Sequence, residues 1–393
     1  MDPKKNPYSP GAGTKPPELV GRNHFIEKTD INIDRCRAGL SSRSLILVGL
    51  RGVGKTVLLN YLSKEAEDKG FVVLNLEVPE KRSLPALLIP ALRTALLKLD
   101  RIASAGDLTK KALRALGGFL GAMKLKYEDV EFSVDLGKEP GIADSGDLEH
   151  DLIELFSEIG KAVQEKKTAL IIFVDELQYI IEEEFASLIT ALHKCNQQQL
   201  PVIMIGAGLP QLVGQAGRAK SYAERLFEYP QIGPLNKQDS YLALESPAKH
   251  LGVGYTQDAL ENIYQKTRGY PYFIQEWGKN CWDYAKYSPI TVHDVEKATI
   301  LTISELDESF FRVRFDRLTP SEKRYLRAMA ELGEGPQRSG DIADLLKKEV
   351  QAVAPTRANL IKKGMIFSQS HGDTSFTVPL FDSYMRRVMP VFE

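Results

Sequence analysis

One eight-residue segment constrains the chain more than any other feature. Residues 49–56 read GLRGVGKT, a full G-x-x-x-x-G-K-T pattern. The segment follows an apolar run at 44–48, which predicts a short buried strand, and precedes a predicted helix at 57–68. In that context a glycine-rich turn lets successive backbone N–H groups and a helix N-terminus face an anion. The segment therefore predicts a phosphate-binding loop, and a chance glycine-rich turn is a poor alternative.

Two side chains of this loop have predicted roles. Lys55 is expected to reach the β and γ phosphates of a nucleoside triphosphate, and Thr56 to place its hydroxyl on Mg²⁺. The expected contacts with the nucleotide are Gly49, Arg51, Gly52, Val53, Gly54, Lys55, Thr56 and Val57.

A pair of acids follows a second apolar strand about 120 residues later. Residues 171–176 read IIFVDE, which delivers Asp175 to the end of the predicted sheet, where it can hold the water shell of the metal. Glu176 follows directly and is placed to orient and deprotonate an attacking water. Such a pair alone can be merely structural. Combined with the loop at 49–56, it predicts hydrolysis of ATP with Mg²⁺, and not only binding.

Alternating strand and helix signals predict the fold class. Further strands are expected at 71–78, 169–174, 202–205 and 228–232, between amphipathic helices. Near-continuous apolar strands of this kind indicate an α/β fold, here the parallel sheet of a P-loop NTPase flanked by helices. The expected domains are a flexible arm rich in Pro and Gly (1–18), a core (19–235), a helical lid (236–309) and a winged helix (310–393).

The region 101–146 interrupts the alternation of strands and helices. It carries a basic predicted helix at 110–124 and an alternating, exposed strand pattern at 126–136. We interpret it as an insertion that decorates the core and not as a functional arm.

Composition limits which kinds of binding site and which cellular location are expected. The 393 residues carry a formal net charge of −1, so any nucleic-acid contact is expected to be a local patch. Three scattered cysteines and six histidines without ligand spacing indicate neither a disulfide scaffold nor a transition-metal site. No apolar run approaches the ~20 residues that span a bilayer, so a cytoplasmic protein is expected.

With these motifs in place, the chain resembles the AAA+ ATPases, in the branch shared by origin-recognition-like initiators and STAND signalling ATPases. LVGR at 19–22 is similar to a segment that packs near the adenine in these families, which implies contacts from Val20, Gly21 and Arg22. VIMIGAGLP at 202–210 is similar to the sensor-1 strand, although Gly206 and Ala207 stand where a polar residue is usual.

Two later segments extend the resemblance. Arg225 occupies the place of the arginine finger that completes a neighbouring subunit's site in AAA+ relatives, and Arg218 is a weaker candidate. A solvated surface arginine is an equal alternative. RGYPYF at 268–273 is similar to the G-x-P of the STAND lid, which implies that Pro271 touches the base or ribose; an ordinary helix that starts with Pro is the alternative. A sensor-2 arginine is not evident.

The C-terminal region shows the order of a winged helix. Helices are predicted at 321–332, 339–348 and 356–363, followed by a β-hairpin. The region 310–393 holds 14 Lys or Arg against 10 Asp or Glu. The candidate contacts with duplex DNA, on or beside the third helix, are Arg357, Lys362 and Lys363. A protein-binding or autoinhibitory winged helix is equally compatible with this pattern.

Two functions follow from these features. The first is an ATPase that engages DNA or a DNA-bound protein, with a homo-oligomer among its expected partners. The second is a STAND-type ATP/ADP switch whose winged helix makes protein contacts. The intact set of Lys55, Thr56, Asp175 and Glu176 argues against a third, a DNA-binding regulator with a vestigial nucleotide pocket.

Overall fold

Five parallel strands form the central sheet. The computed structural model describes residues 1–11, 13, 16–102, 106–130, 140–333, 335–368 and 372–392. The strands are β1 (Ser44–Val48), β2 (Val72–Glu77), β3 (Leu170–Asp175), β4 (Val202–Gly208) and β5 (Phe227–Glu228). Their spatial order is β2-β3-β4-β1-β5, and every pairing among them is parallel. The predicted α/β fold is confirmed, and each strand overlaps a predicted one.

Helices cover both faces of this sheet. They are α1 (Asn23–Arg37), α2 (Lys55–Asp68), α3 (Leu84–Ile102), α4 (Asp107–Lys126), α5 (Leu148–Glu165), α6 (Glu182–Gln197), α7 (Leu212–Ala219) and α8 (Ala223–Leu226). Side chains alternate between the faces of a strand. Leu45 and Leu47 of β1 therefore pack with α1 and α2, whereas Ile46 and Val48 pack in the core that includes α3 to α6.

Helix α4 belongs to the core of the domain. Most of its apolar side chains, including Phe119 and Met123, are buried, and it packs between α3 and α5. Residues 107–126 of this region therefore pack into the core, because the helix has an apolar face that neighbouring helices cover. The interpretation of 101–146 as an inserted decoration stays a prediction. The strand predicted at 126–136 lies largely outside the described residues, and its first residues form the helix end and a turn.

The second half of the chain is largely helical. The first helices are α9 (Lys237–Lys249), α10 (Gln257–Thr267), α11 (Pro271–Tyr284) and α12 (Val292–Glu305). A π-helical segment (Leu306–Phe311) then continues into α13 (Arg312–Asp316). The expected domain boundary at 309–310 therefore falls inside continuous helix. Phe311 in this segment packs against Phe273 of the lid and against Phe381 and Tyr384 near the C-terminus, so one apolar core joins the two regions.

The C-terminal region contains the helices and hairpin in the predicted order. Its elements are α14 (Pro320–Glu331), β6 (Gln337–Arg338), α15 (Ser339–Leu345), α16 (Val350–Lys362), β7 (Ile366–Phe367), β8 (Asp373–Phe376) and α17 (Phe381–Val388). The strands form an antiparallel sheet in the order β6-β8-β7. Helix α16 begins six residues earlier than predicted, and α17 was not predicted. Whether this unit acts as a winged helix stays a prediction.

Among the described residues, no helix combines the length and apolar character needed to cross a membrane.

Candidate functional site

A cavity of about 470 Å³ opens at the carboxyl ends of the central strands. The sequence-predicted residues that line it are Val20, Arg22, Arg51, Gly52, Val53, Gly54, Lys55, Thr56, Val57, Asp175, Glu176 and Pro271. Gly21, Gly49 and Arg225 are not part of this lining. Strand β4 lies between β1 and β3, so the loop after β1 and the acids after β3 face each other across its end.

The loop after β1 owes its shape to its glycines. Gly52 and Gly54 adopt φ of 80° and 88°, in the left-handed region that glycine enters without strain. Gly49 has a different reason: a Cβ there would lie 2.2 Å from the carbonyl oxygen of Ile232. Gly49 therefore lets the loop pass close to the chain that follows β5, without lining the cavity itself. The loop ends at Lys55, the first residue of α2, so the N-terminus of a 14-residue helix faces the cavity.

Lys55 lies in the concave side of this loop. Its side-chain ammonium donates hydrogen bonds to the carbonyl oxygens of Gly49 and Leu50, both at 2.9 Å, and the residue is only 8% exposed. Burial lowers the pKa of Lys55 to about 8, an effect that the neighbouring carboxylates of Glu176 and Asp175 oppose. The loop thus presents a buried cation beside outward-facing backbone N–H groups.

Thr56 and Asp175 converge on one point at the edge of the cavity. The Thr56 hydroxyl donates to Asp175 Oδ2 at 2.5 Å, although the two residues are 119 positions apart. Burial raises the pKa of Asp175, and the hydrogen bonds from Thr56 and from the Glu176 backbone oppose that shift.

This pair suits Mg²⁺. Hydroxyl and carboxylate oxygens are hard ligands, and protein sites for Mg²⁺ commonly supply one or two such groups while substrate phosphates and water supply the rest.

Two side chains, Arg51 and Gln178, hold the Glu176 carboxylate at the cavity. The φ of 54° at Glu176 turns the chain sharply after β3. One carboxylate oxygen lies 3.6 Å from the Arg51 guanidinium, and the other accepts a hydrogen bond from the Gln178 amide. Gln178 in turn accepts from the Leu209 backbone N–H at 3.1 Å, which connects Glu176 to the end of β4.

The same packing explains why β4 ends in glycines where a polar sensor residue is usual. A Cβ at position 206 would lie 2.2 Å from a methyl carbon of Leu177, and one at position 208 would lie 2.8 Å from the Gln178 side-chain oxygen. A side chain at either position would therefore require Leu177 or Gln178 to shift. Gln178 is the polar group that this part of the site contains instead.

The LVGR segment closes another side of the cavity. Arg22 is buried, and its guanidinium donates to the carbonyl oxygens of Val53 at 3.0 Å and Gly233 at 2.8 Å. Burial lowers the pKa of Arg22. Arg22 thus connects this segment, the loop after β1 and the chain after β5. Val20 lines the cavity beside it, whereas Gly21 packs against Asp239 and Leu235.

Helix α11 brings the lid onto the loop. Pro271 is its first residue and lines the cavity, and the Tyr272 backbone N–H donates to the carbonyl oxygen of Gly52 at 3.2 Å. Gly269, with φ of 75°, allows this approach, because a Cβ there would lie 2.1 Å from the Leu235 carbonyl oxygen.

Sequence reasoning missed Arg314. It comes from α13, lines the cavity, and stacks its guanidinium over the Phe310 ring at 4.0 Å from the ring centroid. Burial, and then the charge of Arg51, lower the pKa of Arg314 to about 10. Nothing in the local sequence distinguishes it from a surface arginine, because its relation to the loop arises from the docking of elements more than 250 residues apart.

The structure places the arginine-finger candidates away from the cavity. Arg225 is exposed on α8, and Arg218 lies 3.4 Å from Glu182 in an exposed ion pair. Neither position reaches the site of its own chain, so a role for Arg225 requires a second subunit.

Two of the three candidate DNA contacts are engaged within the C-terminal region. Arg357 donates to the Thr374 and Ser368 hydroxyls at 3.0 and 2.9 Å, which fastens the hairpin. Lys363 forms a 2.7 Å ion pair with buried Glu322. Lys362 is exposed. The contacts of Arg357 and Lys363 stabilise the unit and reduce the charge that it offers to a phosphate backbone.

The C-terminal region also contacts the phosphate loop itself. The Arg51 backbone N–H donates to the carbonyl oxygen of Thr377 at 3.1 Å. Gly364 lies against the other end of Arg51, since a Cβ there would be 3.1 Å from its guanidinium. Arg51 therefore touches both Glu176 and the C-terminal region.

Two segments of the sequence match known family models. Residues 18–205 match the family model described as AAA ATPase domain, and residues 308–385 match a Domain of unknown function (DUF8462). No curated protein matches the sequence.

Several solved structures are similar to the chain over nearly its whole length. The Walker-type ATPase paby2304 of Pyrococcus abyssi is 16% identical, with a TM-score of 0.62, and the match covers 95% of this chain and 97% of that one. Cdc6p from Pyrobaculum aerophilum is 14% identical, with a TM-score of 0.48 and coverages of 99% and 98%. The Aeropyrum pernix ORC1 protein, solved in complex with DNA, is 15% identical, with a TM-score of 0.45 and coverages of 95% and 94%. At 16% identity, the similarity to the Pyrococcus abyssi protein supports the fold alone.

Proposed function

Because residues 18–205 form an AAA ATPase domain, we propose that the cavity binds ATP with Mg²⁺ and hydrolyses the bond between its β and γ phosphates. The observation that carries the proposal is the meeting of Lys55, the Thr56–Asp175 pair and Glu176 in one cavity. Such an arrangement combines an anion site, a metal site and a base, which phosphoryl transfer to water requires.

Each group has a separate task in this proposal. The backbone N–H groups of the loop, the N-terminus of α2 and Lys55 bind the phosphates, and Thr56 and Asp175 hold the metal ion. When bound, Mg²⁺ supplies Lewis-acid stabilisation of the charge that develops on the phosphate oxygens. Glu176 orients a water for in-line attack and accepts its proton. Val20 and Pro271 lie where they can contact the base or ribose, and Arg225 is proposed to act only on a neighbouring subunit's site.

The lowered pKa of Lys55 predicts how nucleotide affinity depends on pH. Lys55 carries its charge below about pH 8 and loses it above, and phosphates bind only the charged form well. We therefore expect the dissociation constant for ADP to be constant between pH 7 and 8 and to rise above pH 8, by at most about tenfold per pH unit. Titration of a fluorescent ADP analogue between pH 7 and 9.5 measures this, since its phosphates titrate near pH 6.

The Lys55→Arg variant is the matched control, because an arginine stays protonated over this range. Its affinity is expected to be independent of pH even if it is weaker throughout. A rise of equal slope in both proteins would show that Lys55 is not the group that titrates.

We further propose that nucleotide state is coupled to the C-terminal region. Two partners are compatible with this coupling: DNA or a DNA-bound protein, reached through exposed Lys362, and a protein partner of an ATP/ADP switch. The contact between Arg51 and Thr377 specifically favours the switch as a second candidate, because it seats the C-terminal region on the phosphate loop. In such a closed form a change at the phosphates that moves Arg51 also moves its contacts with Gly364 and Thr377.

Solution mass and radius of gyration distinguish the two candidates. The measurement is made with ADP, with a non-hydrolysable ATP analogue, and with the analogue plus duplex DNA. A switch is expected to stay monomeric with ADP and to expand with the analogue whether or not DNA is present. An assembling ATPase is expected to gain mass with the analogue, and more with DNA. A protein whose mass and radius are the same in all three conditions would contradict the coupling.

A further inference from the structure

The N-terminal arm, expected to be flexible, is anchored in the lid by Tyr8. Tyr8 is only 4% exposed and packs in the core of the lid helices. Its hydroxyl donates to the carbonyl oxygen of Leu244 at 2.5 Å and accepts from the Tyr255 hydroxyl at 2.8 Å. Two residues earlier, the Asn6 amide donates to the Lys279 carbonyl oxygen at 3.0 Å. An arm rich in Pro and Gly buries no core of its own, but here it inserts one aromatic ring into another unit.

Helix α11 leaves space for this ring at Gly278. A Cβ at Gly278 would lie 2.7 Å from the Tyr8 ring, so the ring occupies the space that any side chain there would take. Glycine is less favourable than alanine inside a helix. A glycine at this position in a 14-residue helix is therefore explained by the docked ring and not by the helix itself.

Beyond Tyr8 the arm runs along the cavity. The Ser9 backbone N–H donates to the Gln275 side-chain oxygen at 3.3 Å, and Ser9, Pro10, Gly11 and Gly13 line the cavity. Gly13 faces the phosphate end, since a Cβ there would be 3.2 Å from the Thr56 methyl carbon. The arm thus passes from the lid to the residue that is proposed to hold the metal.

We propose that residues 9–11 and 13 form the outer wall of the nucleotide site, and that Tyr8 is the positioning residue that keeps this wall in place and so sets how slowly bound nucleotide leaves. The inference rests on the proposed function, because it takes the cavity as a nucleotide site. It adds to that site a segment that carries no recognisable binding motif. The other contacts between residues 1–8 and the lid, such as those of Asn6 with Lys279 and Asp283, precede Tyr8. Within this segment, Tyr8 is therefore the buried side chain nearest to the residues of the arm that line the cavity.

The test weakens the anchor from the lid side. In Gly278→Ala, the added methyl group overlaps the buried Tyr8 ring, whereas alanine itself favours the helix, so any loss of thermal stability is expected to come from displacement of the ring. Dissociation of a methylanthraniloyl-ADP probe is measured by stopped-flow chase in the full-length protein. We expect it to be about tenfold faster or more than in wild type, with a smaller change in the association rate. Gly217→Ala in α7 is the matched control, because nothing lies within 4 Å of a Cβ there.

A second variant weakens the anchor from the side of the arm. Tyr8→Ala removes the ring itself and is expected to accelerate dissociation as Gly278→Ala does, whereas a merely structural role would lower the melting temperature and leave the dissociation rate unchanged. Wild-type dissociation rates in both variants, with the probe still bound, would overturn the role of the arm. If wild type binds no probe, the proposed function itself fails and the inference falls with it.

Discussion

The Glu176→Gln protein is expected to bind ATP with near wild-type affinity and to hydrolyse it about a hundred to ten thousand times more slowly. Glutamine keeps the size of the side chain and its hydrogen bond with Gln178, but it cannot take a proton from water at neutral pH. The loss should therefore appear in kcat and not in nucleotide affinity. Steady-state phosphate release and equilibrium titration of the same preparation measure the two quantities.

Glu183→Gln is the matched control for this variant. Glu183 is an exposed residue in the first turn of α6, outside the cavity, so the same chemical change there should leave kcat unaltered. If Glu176→Gln turns over as fast as this control, Glu176 is not the base. In that case the Arg51 ion pair and the Gln178 hydrogen bond are structural contacts only.

Lys55→Ala is expected to abolish measurable nucleotide binding at micromolar concentrations. The variant removes the one ammonium that lies inside the loop, and loss of one partner of a desolvated charge pair costs about 2–5 kcal/mol, or roughly 30- to several-thousand-fold in affinity. Isothermal titration with ADP measures the effect. The fold is expected to survive, because burial already disfavours the charged form of Lys55.

Lys64→Ala serves as the comparison, since Lys64 lies on the same helix but in an exposed ion pair with Asp68. Its nucleotide affinity should match that of wild type. Tight binding by Lys55→Ala would overturn the assignment of the phosphate loop, whatever the outcome for Glu176.

The meeting of the candidate site residues in one cavity could be predicted from sequence because the information for it is local. The spacing of GLRGVGKT fixes a turn between a strand and a helix, and an apolar strand that ends in Asp175 and Glu176 delivers both acids to the same edge of a parallel sheet. No long-range contact has to be known for either inference. The strands of the sheet and the helices α2, α4, α14, α15 and α16 follow from the same periodicity.

The parts that were missed depend on which distant elements dock together. Arg314 enters the cavity only because α13 packs beside the loop, and Tyr8 becomes a lid residue only because Gly278 makes room for it. Arg357 and Lys363 resembled free basic residues in the sequence, but within the fold they bind the hairpin and Glu322. Periodicity identifies faces and elements, but it does not identify the partner of a polar side chain.

The contact between the C-terminal region and the site is likewise a tertiary feature. Phe311 joins the lid to this region through a shared apolar core, and Thr377 accepts a hydrogen bond from the loop residue Arg51. A boundary drawn at 309 from the change of sequence pattern is therefore a boundary between motifs, and it crosses a continuous helix. Movement of one region relative to the other requires that these contacts be broken.

Single-turnover phosphate release tests the central claim most directly. Purified wild-type protein is mixed with substoichiometric ATP, and inorganic phosphate is followed with Mg²⁺ present and with EDTA in its place. The proposal predicts that phosphate is released stoichiometrically with Mg²⁺, and that release is negligible with EDTA and in Glu176→Gln. ATP that is bound but left intact in the presence of Mg²⁺, with and without duplex DNA, would contradict it.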